Sequence, residues 1–106
     1  MNKRDLRYKL ILTYDIQSSA QNLESCGFTL PQGERMLALW NDDSAVDDDP
    51  GIASTITIPG FSGWRATAVD VLNGVEQELM TRSDQDRLIV DGFLIKDYPI
   101  LIQLSK

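Results

Sequence analysis

The chain has no histidine and a single cysteine, Cys26, in 106 residues. The usual zinc sites, and every nucleophile arrangement that relies on an imidazole base, are thereby excluded by inventory. No disulfide can close within one copy, and a lone cysteine reads as a small buried hydrophobe rather than a nucleophile. Basic residues are scarce too, with 10 Lys and Arg against 16 Asp and Glu and a net charge of −6. A phosphate backbone or an anionic membrane surface is therefore a poor partner. Long apolar runs are missing as well. No segment approaches the ~20 apolar residues of a membrane helix. The apolar stretch from Leu6 to Tyr14 is broken by Arg7 and Lys9 and lacks a small-residue cleavage site, so no secretion signal is evident and a soluble chain is expected. The length is far below the ~250 residues of a (β/α)8 barrel. It suits one domain, residues 1–106, that buries roughly two thirds of its unfolded surface. Residues 1–25 fit that domain less clearly, as a linker or a segment derived from a neighbouring unit.

What the chain does contain is short β-type patterning punctuated by turns. Leu6, Tyr8, Leu10 and Leu12 alternate on one face, which reads as a strand, with a short helix as the alternative. Ile16 to Glu24 is polar and rich in small residues, as a loop would be. Gly27 leads into Phe28, Thr29 and Leu30 before a turn at Pro31-Gln32-Gly33-Glu34. The compact apolar run Arg35 to Trp40, bounded by turn residues, predicts a central strand covered on both faces. Asn41 to Gly51 carries five aspartates and is expected to be an acidic surface loop. Asp47, Asp48 and Asp49 could supply oxygens to a calcium ion, although the order of residues is not that of an EF-hand loop.

In the second half, Ser54 to Ile58 alternates so that Ile56 and Ile58 face a core. Arg65 to Val71 and Val75 to Met80 flank Asn73-Gly74, a hairpin signal. A two-residue turn there would put Val69 and Val71 on one face with Glu76 and Glu78. A three-residue loop, Leu72 to Gly74, instead pairs Val71 with Val75 and Thr67 with Leu79, and turns Asp70, Glu76 and Glu78 outward. This is the preferred register. Glu76 and Glu78 then stand ~6.5–7 Å apart on one strand face, but a solvated face lacks the recess that general acid catalysis needs, and no catalytic residue is expected. Thr81 to Asp86 reads as a polar loop. Arg87 to Val90 and Phe93 to Lys96 flank Asp91-Gly92, a second hairpin signal. Ile100, Ile102 and Leu104 share one face of a last strand opened by Pro99. The spacing predicts an all-β fold, an antiparallel β-sandwich of about seven or eight short strands. Phe61 and Trp64, in a loop with two glycines, could stack on sugar rings if exposed. Packing at the end of the core is the plainer role for Trp64, and core or interface packing for Trp40 and Tyr98.

At Ala38-Leu39-Trp40-Asn41-Asp42, Gly63-Trp64, Asp70 to Leu79 and Lys96-Asp97-Tyr98-Pro99-Ile100, the chain resembles the C-terminal β-domain of barrel-type glycoside hydrolases, cellulase-like or β-glycosidase-like. The likeness covers roughly Phe28 to the end. It rests on a strand ending in Leu-Trp, a hairpin built on Asp-x-x-x-Gly and a last strand opened by Asp-Tyr-Pro, in that order. In such enzymes the catalytic glutamates lie on the barrel, so the resemblance implies a non-catalytic accessory domain with a (β/α)8 barrel as partner, in cis or in trans. It implies no cofactor. The N-terminal segment, with Lys3, Arg4, Arg7 and Lys9, departs from the family pattern. Two site sets follow as expectations: an uncovered docking face involving Tyr8, Leu10 and Leu12, and, for a free-standing glycan-binding module, a platform of Phe61, Trp64 and Tyr98.

Overall fold

The structure, a computed structural model, describes residues 13–29, 35–42 and 51–106. These form nine strands: β1 (Asp15–Ser18), β2 (Leu23–Thr29), β3 (Arg35–Asn41), β4 (Ile52–Pro59), β5 (Arg65–Asp70), β6 (Val75–Glu78), β7 (Thr81–Asp84), β8 (Arg87–Ile95) and β9 (Ile100–Ser105). Every pairing is antiparallel. A four-stranded sheet runs β1-β4-β8-β7 and a five-stranded sheet runs β2-β3-β9-β5-β6. The described residues contain no helix. Leu37, Leu39, Ile100, Ile102 and Leu104 from the larger sheet meet Ile56, Ile58, Leu88, Val90, Phe93 and Ile95 from the smaller in one buried cluster. This is an antiparallel β-sandwich, as the strand spacing predicts. The alternation of Ile56 with Ile58, and of Ile100, Ile102 and Leu104, supplies its interior, and β3 is a central strand between β2 and β9.

Four readings of the sequence are corrected by the fold. The polar stretch Ile16 to Glu24 is not a loop throughout: β1 pairs Ile16 with Ile56 of β4, a single apolar residue packed against the core being enough to seat a short edge strand. The polar stretch at residues 81–86 contains β7, exposed along its whole length and therefore free to be hydrophilic on both faces. It is joined to its neighbour by Arg82 Nε to Asp91 Oδ2 at 2.7 Å, and charged side chains of this kind also discourage further edge pairing. Asp91-Gly92 is a bulge rather than a hairpin. Ser54 pairs with Phe93 and Thr55 with Asp91, so Gly92, with φ of 73°, is the extra residue in a continuous strand. The Ser54 hydroxyl, buried beside the bulge, donates to the Phe93 carbonyl at 2.8 Å. Cys26, finally, is exposed on the edge strand β2 rather than buried.

The remaining expectations for the N-terminal half fall partly on residues outside the described ones. The strand over Leu6 to Leu12, the turn Pro31 to Glu34 and the acidic aspartates Asp47, Asp48 and Asp49 all lie there.

Candidate functional site

The β5–β6 hairpin positions the most distinctive polar cluster. Its connection is four residues long, Val71 to Gly74, pairing Asp70 with Val75 and Thr67 with Glu78, not the three-residue loop expected. The cause is Asp70 itself. Its Oδ1 accepts from the Asn73 backbone N–H at 3.0 Å, its carbonyl accepts from the Gly74 N–H at 2.8 Å, and its Oδ2 accepts from the Asn73 amide at 3.0 Å. An aspartate that satisfies the turn's own donors must be the last paired residue before the turn. The Tyr98 hydroxyl, arriving from the β8–β9 connection, donates to the same Oδ2 at 2.8 Å. The Asn73 amide also donates to the Tyr98 oxygen at 3.2 Å.

This register carries consequences for both faces. Ala66, Ala68 and Asp70 share the inner side with Val75, Gln77 and Leu79, while Val69 and Thr67 lie outside with Glu76 and Glu78. Asp70 thus turns inward, against expectation, and Val71 and Val75 are exposed at 66% and 52% rather than core. Small alanines face the interior of β5 because β9 and the smaller sheet already fill it. Glu76 and Glu78 do point outward and are exposed.

The hydrogen bonds around Asp70, led by the Asn73 amide and followed by the Tyr98 hydroxyl, hold its carboxyl below the usual aspartate range against an opposing contribution from partial burial. Tyr98 is raised, first by its hydrogen bond to Asp70 and then by desolvation. A depressed aspartate stabilises the fold above its unfolded-state pKa and loses that contribution as pH falls through its folded value. A raised tyrosine does so below its ordinary value near 10.0 and loses it as pH climbs through the folded one. Tyr98→Phe is therefore expected to lower the melting temperature by several degrees at neutral pH. The gap between wild type and variant should narrow at pH below the Asp70 range and again above the Tyr98 range. No gap at neutral pH would show that the cluster adds nothing to the fold, and a gap unchanged through the Asp70 and Tyr98 titrations, as monitored by thermal scans, would show that its contribution does not depend on the Asp70 carboxylate.

Beside this cluster lies a cleft. After β6 the chain crosses at Leu79 and Met80 to the smaller sheet, where β7 pairs only with residues 87–90 of β8. Beyond the bulge, β8 has no strand partner on that side among the described residues, and a groove of about 250 Å³ opens there. Ala68, Asp70, Val75, Gln77 and Leu79 line one wall and Gly92, Phe93, Leu94 and Lys96 the other, with Ile100 between them. The exposed large apolar residues of the described chain, Val71, Leu72, Val75, Met80 and Leu94, belong to the elements that bound this edge. The volume falls below the ~300–1,000 Å³ of a typical ligand pocket. Its one carboxylate is committed to the turn, so the groove offers apolar contact and open strand edges rather than acid–base chemistry.

The aromatic platform is divided by the fold. Phe61 and Trp64 meet edge-to-face with centroids 4.6 Å apart, half-buried against the core. The Arg35 guanidinium lies 5.7 Å from both ring centroids and the Lys106 ammonium 5.4 Å from that of Trp64. Their loop is pinned by Gly60 N–H to Asp86 O at 2.8 Å and Gly63 N–H to Ser83 Oγ at 3.0 Å. Tyr98 stands beyond the opposite end of β9, so it shares no surface with them. Trp40 is half-buried on the outer side of β3. No group of three His, Cys, Asp or Glu among the described residues is placed to hold a metal ion, and Asp47, Asp48 and Asp49 lie outside them. The docking residues Tyr8, Leu10 and Leu12 also lie outside. The β6–β8 edge was missed in the sequence because Val71 and Val75 read as core. The available signal was Asp70-x-x-Asn73, an Asx-type turn that fixes Asp70 as the strand's end.

No family model matches the chain, and no curated protein matches it.

Proposed function

We propose that this chain is a non-catalytic accessory domain that docks on and stabilises a glycosidase barrel. The single observation that supports this reading is the edge just described, where exposed apolar residues border a groove that carries no free catalytic pair. Scattered single hydrophobes need no explanation, whereas several along one edge suit a surface that another domain covers. The resemblance carried by Leu39-Trp40, Asp70 to Gly74 and Asp97-Tyr98-Pro99 names a (β/α)8 barrel of glycoside hydrolase type as that domain, in the same polypeptide or in trans. The half-buried, cation-capped arrangement of Phe61 and Trp64 favours a structural role for them over sugar stacking.

The test is thermal unfolding of a barrel-type glycosidase from the same source, lacking its own β-domain, with one equivalent of this chain added. The barrel's melting temperature should rise by several degrees, and Leu72→Glu with Met80→Glu should abolish the rise without unfolding the sandwich. No rise, combined with saturable binding of soluble oligosaccharides that is lost on Trp64→Ala, would replace docking with a free-standing glycan-binding module.

A further inference from the structure

The two sheets differ on their outer faces. A sheet that faces water sets apolar residues inward and polar ones outward. The smaller sheet does so: its outer rows read Asp15, Thr57, Ile89 and Arg82, then Thr55 beside Asp91. The larger sheet does not. Its middle outer row crosses all five strands as Cys26, Ala38, Leu101, Val69 and Glu76. Met36 and Trp40 flank Ala38 along β3 on the same side. Met36, Ala38, Trp40, Val69 and Leu101 all lie outside the buried cluster between the sheets, so the sandwich core does not account for their apolar character. Carboxylates stand at both margins of this strip: Glu24 on β2, paired with Trp40, and Glu76 and Glu78 on β6. All three are exposed. Arg65, at one end of the strip, is the single base facing the same way among the described strands.

We propose that the outer face of the five-stranded sheet receives an amphipathic helix of a partner protein, its apolar stripe bordered on both sides by Lys or Arg. The width of the strip selects a helix. β3, β9 and β5 carry it over two strand intervals of ~4.8 Å, about 10 Å in all, which matches a helix with its side chains. Glu24 lies one strand beyond on one side, and Glu76 and Glu78 one strand beyond on the other, where bases bordering the stripe would meet them. From Met36 to Trp40 the strip runs about 14 Å, between two and three helical turns, so apolar residues at i, i+3 or i+4, and i+7 cover it. Ala38 keeps its middle low between two large side chains, leaving room for one from the helix. Charge selects the partner. A second copy laid face to face would set Glu24, Glu76 and Glu78 against their own kind in a chain of net charge −6. This face is not the β6–β8 edge, and the proposal does not rest on docking to a barrel.

Isothermal titration of the full chain with two synthetic peptides of about 14 residues tests this, one with a leucine stripe bordered by lysines and one with the same stripe bordered by glutamates. The lysine-bordered peptide should bind and the other should not, and high salt should weaken the binding. Binding should also slow the reaction of Cys26, the single cysteine, with a maleimide, because it stands on β2 beside Ala38. Leu101→Lys should weaken the lysine-bordered peptide roughly tenfold or more, whereas Thr57→Lys, on the outer face of the smaller sheet, should leave it nearly unchanged. Glu24→Lys with Glu76→Lys and Glu78→Lys changes exposed positions only and should reverse the preference toward the glutamate-bordered peptide. Leu72→Glu with Met80→Glu should leave peptide binding intact, so failure of barrel docking and failure of this proposal are read separately. Binding of neither peptide, equal binding of a scrambled leucine–lysine peptide without a stripe, or an unreversed preference in the triple variant overturns the proposal. So does a Cys26 thiol already shielded in the free chain, which would show the face covered by the chain itself or, with a dimer in sedimentation velocity, by a second copy.

Discussion

Ile102→Ala is expected to cost about 2–5 kcal/mol of folding stability. Ile102 has no solvent exposure and sits on β9, paired with Leu37 on one side and Ala68 on the other. Its position in the buried cluster puts it between β3 and β5, where Leu37, Leu39 and Leu104 of the same sheet meet Ile56, Ile58 and Val90 of the other. Truncation removes the transfer free energy of the lost carbons and leaves a space that hydrogen-bonded strands on both flanks cannot close. A domain of this size has only about 5–15 kcal/mol in hand, so the variant should melt roughly 8 °C or more below wild type. Leu101→Ala is the control: the same strand, the opposite face, half-buried, and a cost of about 1 kcal/mol or less. Equal costs for the two, measured by urea titration at constant m-value, would mean that the interior is not where the alternation of β9 places it.

That alternation is the part of the fold most plainly written in the residues. Ile100, Ile102 and Leu104, like Ile56 and Ile58, carry their face assignment in a period of two, which needs no knowledge of the partner strand. The junctions are different. Asp91-Gly92 is compatible with a hairpin or with a bulge, because both shift the apolar parity from Leu88 and Val90 to Phe93 and Ile95. The choice is made by β4, whose eight residues pair along the whole of β8 and leave only Gly92 over. That is long-range information. At Asn73-Gly74 the misreading came from treating valines as core markers. The register is fixed by the hydrogen-bonding appetite of Asp70, and its second partner, Tyr98, is 28 residues away. The groove follows from that register and from β7 stopping short, neither of which any local pattern displays. Charge was more informative. Glu76 and Glu78 lie outward as their polarity demands.

Among the described glycines with positive φ, Gly51→Ala should be the most damaging substitution, at about 3 kcal/mol or more from backbone strain and contact together. Gly51 precedes β4 with φ of 84°, in the left-handed region that a side chain disfavours. A Cβ built there would stand 2.9 Å from Leu94 Cβ and 3.3 Å from the Ile95 carbonyl, neither of them the free end of a flexible chain. Gly92, at φ of 73°, has nothing within 4 Å of the same added atom. Gly92→Ala therefore pays the conformational cost alone, about 1–2 kcal/mol. The difference between the two variants isolates the contact, and a double-mutant cycle assigns it. Leu94→Gly removes the clashing Cβ, so Gly51→Ala should cost less in that background than in the wild type. If the two glycine variants melt together, the start of β4 must give way by several tenths of an ångström without penalty. The pairing of Ile52 with Ile95 would then be softer than the burial of Ile95, exposed to only 1%, implies.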